Sequence, residues 1–536
     1  MAKQFLHTVD APVVQTTGGK LRGYLLDGVY TFHGIKYADA GRFQAPRPVA
    51  PWDGVRDAVS FGYVCPLMSV QQPGGEVMIP HRFWPEDEHC QYLNIWTNSL
   101  GKDAKMPVMV WIHGGTFNAG SSIEHVAYDG DNMARRGGVV FVTLNHRLNI
   151  LGHLDMSAYG AKYENSVNAG IADLVAALEW VQGNIEGFGG DPGNVTIFGQ
   201  SGGGRKTTTL MQTPAAAGLF HKAIIQSGTA NWNPISSAHH KKLISLTLGE
   251  LGLTDADFEK LERAPYPVLV RAYARAQAKL AEQDGIANDW TPVKNGWFMG
   301  APPFHAFTEY AKKTPLLVGS VIAEAGSTPP MPDRDDYPAD KRRALIEQAY
   351  GGSQDADRDV GRLIELFKKA YPDKNELLLL DFDNRYRYNL LKYAERKHDE
   401  SIAGTPLYLY LFALEFDYLG GKGAWHCSDI PFAFLNADKV PVCHMEGVME
   451  KLENEMGGAW LNFARTGDPN HAGLPEKWPV YNTDSRGVMV FDKKSAVRFD
   501  HEKELVELYW SLLKPPAVAR APSYHPQFAH SEKWVY

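Results

Sequence analysis

The apolar positions of this chain fall into runs of two kinds. Pro107–Ile112 and Val139–Leu144 are continuously apolar, as strands covered on both faces must be. Val195–Phe198, Lys222–Gln226, Pro315–Val318 and Leu407–Phe416 read as further strands. Between them, residues 166–187 repeat apolar side chains at helical spacing, with Ile171, Leu174, Val175, Leu178, Val181 and Ile185 on one face. Strands alternating with helices predict an α/β chain with a mostly parallel, open sheet. Ahead of that pattern, residues 12–23 and 28–37 read as antiparallel hairpins turning at Gly18-Gly19 and Asp27-Gly28, and Tyr92–Trp96 as another strand. Residues 42–52 are proline-rich and read as an irregular edge, and residues 60–90 as a loop. Residues 229–310 and 330–402 are charged and helical in pattern, as insertions packed over one end of the sheet would be. Val448–Arg465 is a helix.

Composition narrows the picture. With 536 residues and 44% hydrophobic content, the chain can bury a large core. Mean hydropathy is −0.30, and no apolar run reaches membrane-spanning length. A net charge of −8 with intermixed signs argues against a nucleic-acid partner. The first residues carry no apolar signal core, which predicts a cytoplasmic protein; a chain starting at a mature N-terminus, secreted or periplasmic, would read the same way. Four cysteines match neither a disulfide scaffold nor a zinc site.

The chemistry centres on Gly199-Gln200-Ser201-Gly202-Gly203, between the Val195–Phe198 strand and a helix expected over residues 205–212. A strand turning sharply into a helix exposes its turn residue and needs small neighbours. Ser201 is the candidate nucleophile, and the Gly202 amide, at a helix N-terminus, faces any developing oxyanion. A serine needs a base and a group to orient it, and in open α/β sheets these lie at strand ends. Downstream, Glu324 is the first carboxylate after the 315–319 strand, and His426 follows the glycine-rich 420–423 loop. They are the candidate acid and base. Gly115 and Thr116, in the glycine turn after Ile112, are the candidate partners of Gly202 in an oxyanion hole.

These residues lie within longer stretches that resemble the type-B carboxylesterases (the carboxylesterase/cholinesterase family), with the bacterial para-nitrobenzyl-esterase-like members most similar in kind. The stretches include Phe32-His-Gly-Ile-Lys-Tyr-Ala38, Cys90-Gln-Tyr-Leu-Asn-Ile95, Trp111-Ile-His-Gly-Gly115 and Asn145-His-Arg-Leu-Asn-Ile-Leu-Gly152. Thr196-Ile-Phe-Gly-Gln-Ser201, Gln226-Ser-Gly228 and Trp460-Leu-Asn-Phe-Ala-Arg-Thr-Gly-Asp-Pro-Asn470 continue them. The resemblance implies an α/β-hydrolase fold in a single domain over residues 1–536. It implies Ser201, Glu324 and His426 as triad, Gly115, Thr116 and Gly202 amides as oxyanion hole, and Ser227 as a buried support of the acid–base pair. It implies a carboxylic ester hydrolase that forms an acyl-enzyme and needs no metal or cofactor, with a small ester as partner, in a monomer or homodimer. Hydrolysis of an amide, carbamate or lactone uses the same machinery, and the family also contains adhesion proteins lacking the nucleophile.

The departures carry information. Gln200 stands where the family usually has glutamate, which removes a negative charge and weakens the case for cationic substrates. Thr116 replaces a glycine and should narrow the oxyanion loop against bulky tertiary-alcohol esters. Gly202 replaces the usual alanine, at little expected cost. Cys65 and Cys90 stand where eukaryotic relatives place a disulfide; thiols are expected in a reducing compartment. Arg205 and Lys206 oppose the dipole at the start of their helix. Either they pair with nearby carboxylates, or Arg205 recognises a substrate carboxylate.

Overall fold

The computed structural model describes residues 4–68, 79–229, 235–286, 290–302, 305–326, 328–329, 331–350, 356–382 and 386–513. The continuously apolar runs form the middle of a twelve-stranded mixed sheet. In chain order its strands are β1 (Phe5–Leu6), β2 (Tyr24–Leu26), β3 (Val29–Lys36), β4 (Tyr92–Thr97), β5 (Met106–Ile112) and β6 (Val140–Leu144). β7 (Gly190–Gln200), β8 (Lys222–Gln226), β9 (Leu316–Val321), β10 (Leu407–Phe412), β11 (Gly487–Phe491) and β12 (Ala496–Phe499) complete it. The spatial order is β1-β2-β3-β4-β6-β5-β7-β8-β9-β10-β11-β12. Pairing is parallel from β6 to β11 and antiparallel at both flanks. Every residue of β6, β8, β9 and β10 is buried, the consequence of helices on both faces.

The helices that place the site are α1 (Ala169–Asn184), α2 (Gly202–Met211), α3 (Ser237–Glu250), α4 (Tyr266–Asp284), α5 (Tyr386–Glu400) and α6 (Met449–Thr466). α3 and α4 belong to the expected 229–310 insertion and, with Leu148, Ile150, Leu151 and Leu154, enclose a second apolar core. α5 lies within the 330–402 insertion. Part of the 60–90 loop, residues 69–78, lies outside the described residues.

Three expectations change. The Leu407–Phe416 run is two strands: the chain leaves the sheet after Phe412, and Glu415–Phe416 pairs instead with Lys422–Gly423. The first hairpin, Val13–Gln15 with Lys20–Arg22, belongs to a small separate sheet completed by Val55–Asp57. The helix after Ser201 begins at Gly202, three residues earlier than its side chains suggest.

Candidate active site

β7 ends at Gln200, and α2 starts at Gly202. Ser201 makes the whole turn in one residue, with φ 56° and ψ −120°, a backbone region that side chains rarely adopt. The Ser201 amide donates to the Gln226 carbonyl at the end of β8, at 2.8 Å, which fixes the turn to the neighbouring strand. Glycines around it are required by contact. A Cβ on Gly202 would lie 2.1 Å from the Thr116 nitrogen, and one on Gly203 would lie 1.9 Å from the Ile112 oxygen. The elbow and the 113–116 loop thus touch backbone to backbone. Glycine at 202 thus leaves its amide in place while making room for the Thr116 backbone.

Glu324 lies just beyond β9, and its Oε1 accepts from the Val321 amide at 3.2 Å. The loop that carries it is stitched to the loop that carries His426: Ala323 and Trp425 form a parallel bridge, with the Ala323 amide 2.9 Å from the Ala424 carbonyl. The residues following each bridge partner therefore meet. Glu324 Oε2 is 2.5 Å from His426 Nδ1. The glutamate side chain is wholly buried, whereas the imidazole is 22% exposed, so one ring edge is held and the other is open. A carboxylate at Nδ1 sets the proton on that nitrogen and leaves Nε2 free to accept one.

Gln200 spans the neighbouring groups. Its Nε2 is 3.2 Å from His426 Nε2, and its Oε1 accepts from the Cys427 thiol at 3.2 Å. The ring of Tyr386, the first residue of α5, lies 4.8 Å from the imidazole, tilted by 31°. Its phenol hydrogen-bonds the Ser201 side chain; burial raises the phenol's pKa, and the nearby Glu324 adds to that effect. Sequence reasoning missed Tyr386, because a tyrosine at a helix start carries no local mark of a partner far back in the chain.

Gly115 and Thr116 face the elbow, both with left-handed backbones, φ 78° and 53°. For threonine that conformation is unusual. Lys206 and Arg205 enter no ion pair among the described residues. Lys206 turns inward to the 113–114 carbonyls, and Arg205 is half-buried. Ser227 is fully buried beside the elbow, but its hydroxyl has no hydrogen-bond partner among the described residues. Cys65 and Cys90 are free buried thiols in mutual contact. No disulfide joins them in this structure. Cys65 Sγ accepts from the Leu148 amide at 3.3 Å, and burial raises the Cys90 thiol.

Nearly the whole chain, residues 10–508, matches the carboxylesterase family. The chain belongs to that family and is a carboxylic ester hydrolase. It is 31% identical to the para-nitrobenzyl esterase of Bacillus subtilis (strain 168), over 92% of this chain and 97% of that one. It is 30% identical to the phenmedipham hydrolase of Pseudarthrobacter oxydans, over 91% and 96%. Among solved structures, an esterase from Clostridium hathewayi that can hydrolyze aliphatic aromatic polyesters superposes with a TM-score of 0.89, at 47% identity, over 96% of this chain and all of that one. No helix among the described residues is long and apolar enough to cross a membrane.

Proposed function

We propose that the esterase works through Ser201, His426 and Glu324 by way of an acyl-enzyme. The contact between Glu324 and His426, at 2.5 Å beside the strained Ser201 turn, carries this reading. His426 Nε2 takes the Ser201 proton as the hydroxyl oxygen attacks the ester carbonyl. The tetrahedral oxyanion is received by the amides of Gly115, Thr116 and Gly202, the last at the start of α2, where the helix field favours negative charge. His426 then gives the proton to the leaving alkoxide. A water deprotonated by the same nitrogen attacks the acyl-enzyme, and collapse releases the acid and frees Ser201. Glu324 holds the ring's orientation and stabilises the imidazolium in both halves.

The insertions at 229–310 and 330–402 form the walls of the substrate pocket in this reading. Tyr386, already against both Ser201 and His426, supplies a polar aromatic surface there. Such a surface suits aromatic esters. The Clostridium hathewayi relative makes aliphatic aromatic polyesters the first polymeric substrates to try.

The test is hydrolysis of para-nitrophenyl esters from acetate to octanoate, with Ser201→Ala and His426→Ala alongside, and fluorophosphonate labelling of each. Losses of at least about 1,000-fold in kcat/KM, with labelling abolished in Ser201→Ala, are expected. Labelling and turnover that survive Ser201→Ala would refute the assignment.

A further inference from the structure

The buried lysine next to Arg205 has found backbone rather than carboxylate partners. Lys206 is completely buried, and its Nζ donates to the carbonyl oxygens of His113 at 3.0 Å and Gly114 at 3.2 Å. Gly114 O lies also 3.0 Å from His113 Nδ1, so two side chains hold that oxygen. The next peptide is held likewise: Gly115 O accepts from the amides of Asn118 and Ala119, at 3.1 and 2.9 Å.

Geometry turns these contacts into direction. Across a planar trans peptide, the carbonyl of one residue and the N–H of the next point opposite ways. Fixing Gly114 O therefore fixes the Gly115 N–H, and fixing Gly115 O fixes the Thr116 N–H. A hydrogen bond to a carbonyl also polarises its peptide and strengthens its N–H as a donor. Glycines at 114 and 115 leave the loop free to rotate, so some outside restraint must aim these amides.

A buried amine is costly, and a methionine could fill the same space. The surroundings are otherwise sparing of charge. His113, His146 and His153 are kept neutral by burial, with Lys206 adding to the effect, while Glu124 and Cys65 act on Lys206 in the opposite sense. Burial lowers the ammonium itself to about 7.

We propose that Lys206 is a positioning residue of the oxyanion hole, whose amine grips the His113 and Gly114 carbonyls from behind and so aims the Gly115 N–H at the reacting oxygen. The proposal rests on the oxyanion hole assigned above. It predicts that Lys206 matters to the tetrahedral state and not to the bound ester.

The test compares the wild type with Lys206→Met and Lys206→Gln, measuring kcat, KM, inhibition by an alkyl trifluoromethyl ketone, and inhibition by the corresponding alcohol. The ketone adds Ser201 to give a hemiketal oxyanion, whereas the alcohol occupies the pocket without forming one. In Lys206→Met, kcat and ketone affinity should fall together by about 10- to 100-fold, with KM and alcohol affinity within about two-fold. Lys206→Gln, which keeps amide donors, should lie between, and it carries the test where the methionine variant does not fold. Ketone affinity and kcat within two-fold of wild type, or a KM that rises and an alcohol affinity that falls in step with the loss of kcat, would overturn the role. Ser201→Ala distinguishes the underlying reading: undiminished ketone affinity there would refute the Ser201 assignment itself, whatever Lys206 does.

Discussion

At the scale of single residues, the distinctive position is Gln200. Its amide nitrogen lies 3.2 Å from His426 Nε2, where most of the family, by the resemblance, carries a carboxylate. A carboxylate at that distance would favour the imidazolium and raise the histidine's pKa; the neutral amide does not. Gln200→Glu should therefore move the acidic limb of the kcat/KM profile to higher pH by about one unit, because the base must lose a more tightly held proton. It should also improve cationic esters relative to neutral ones. A pH–rate profile with an unmoved acidic limb would contradict this account. The substitution itself was legible in the sequence, and its contact was not. The same holds for Lys206, whose partners are backbone oxygens about ninety residues earlier. The reason for glycine at 202 was hidden in a related way. That position's need to be glycine arises from Thr116 in a distant loop, and nothing beside it in the chain reports that contact.

At the scale of elements, α5 joins the site to a buried ion pair. Tyr386 opens the helix against His426, and the next residue, Arg387, is buried with its Nε 2.8 Å from Glu502 Oε1 and its Nη1 2.9 Å from the Tyr410 carbonyl in β10. Tyr371 donates to the other Glu502 oxygen at 2.6 Å. Burial alone would raise the Glu502 carboxyl, but Arg387 and His501 outweigh it and hold the group below its ordinary value. Removing one partner of such a pair leaves a buried, uncompensated charge. Arg387→Met should cost about 3–5 kcal/mol in urea denaturation, and the double variant Arg387→Met/Glu502→Leu should recover much of that loss. Strictly additive losses would show that the two side chains are not coupled. The elements most legible in the sequence were those buried on both faces, such as β5 and β6, because a short, almost wholly apolar run suits little except a strand covered on both sides. β11, β12 and the helix Lys503–Leu512 lie at the sheet's far flank and were not anticipated. Their short runs gain meaning only from docking on β10 and its neighbours. The early start of α2 was hidden because three consecutive glycines oppose helix formation locally, and backbone contact with the strands overrides that preference.

At the scale of the whole molecule, buried titratable groups set the pH range in which the fold holds. Burial lowers His33, His125 and His153 to about 3, and holds His113 and His146 well below their ordinary 6.5. Between those values and 6.5 the unfolded chain binds more protons than the native one, so stability rises with pH and is lost as pH falls below 6.5. Each such histidine contributes at most about 1.4 kcal/mol per pH unit. Asp429 acts in the opposite sense. Burial raises it from 3.8 to about 6, despite donors from Gln226 and Tyr410, so its contribution falls as pH rises through that window. Burial raises Glu86 as well, but it also lowers His221, His240 and His501, so two raised carboxyls stand against eight lowered histidines and the net slope is positive. Above neutrality Lys206 and Lys397, lowered by burial to about 7, and Lys222, lowered to about 8, continue the rise, because the unfolded lysines hold their protons up to 10.5. Thiols and phenols end it. Cys90, Cys443, Tyr37 and Tyr410 are all raised by burial, so the unfolded chain sheds protons first from pH 9 upward. Thermal melts at constant ionic strength should therefore show Tm climbing from pH 5 to a maximum near about pH 8–9. The steepest part should lie below pH 6.5, and it should flatten when two of the buried histidines, His33 and His125, are replaced by phenylalanine. A Tm that is level or falling between pH 5 and 7 would mean that these imidazoles reach water or a partner in the native state.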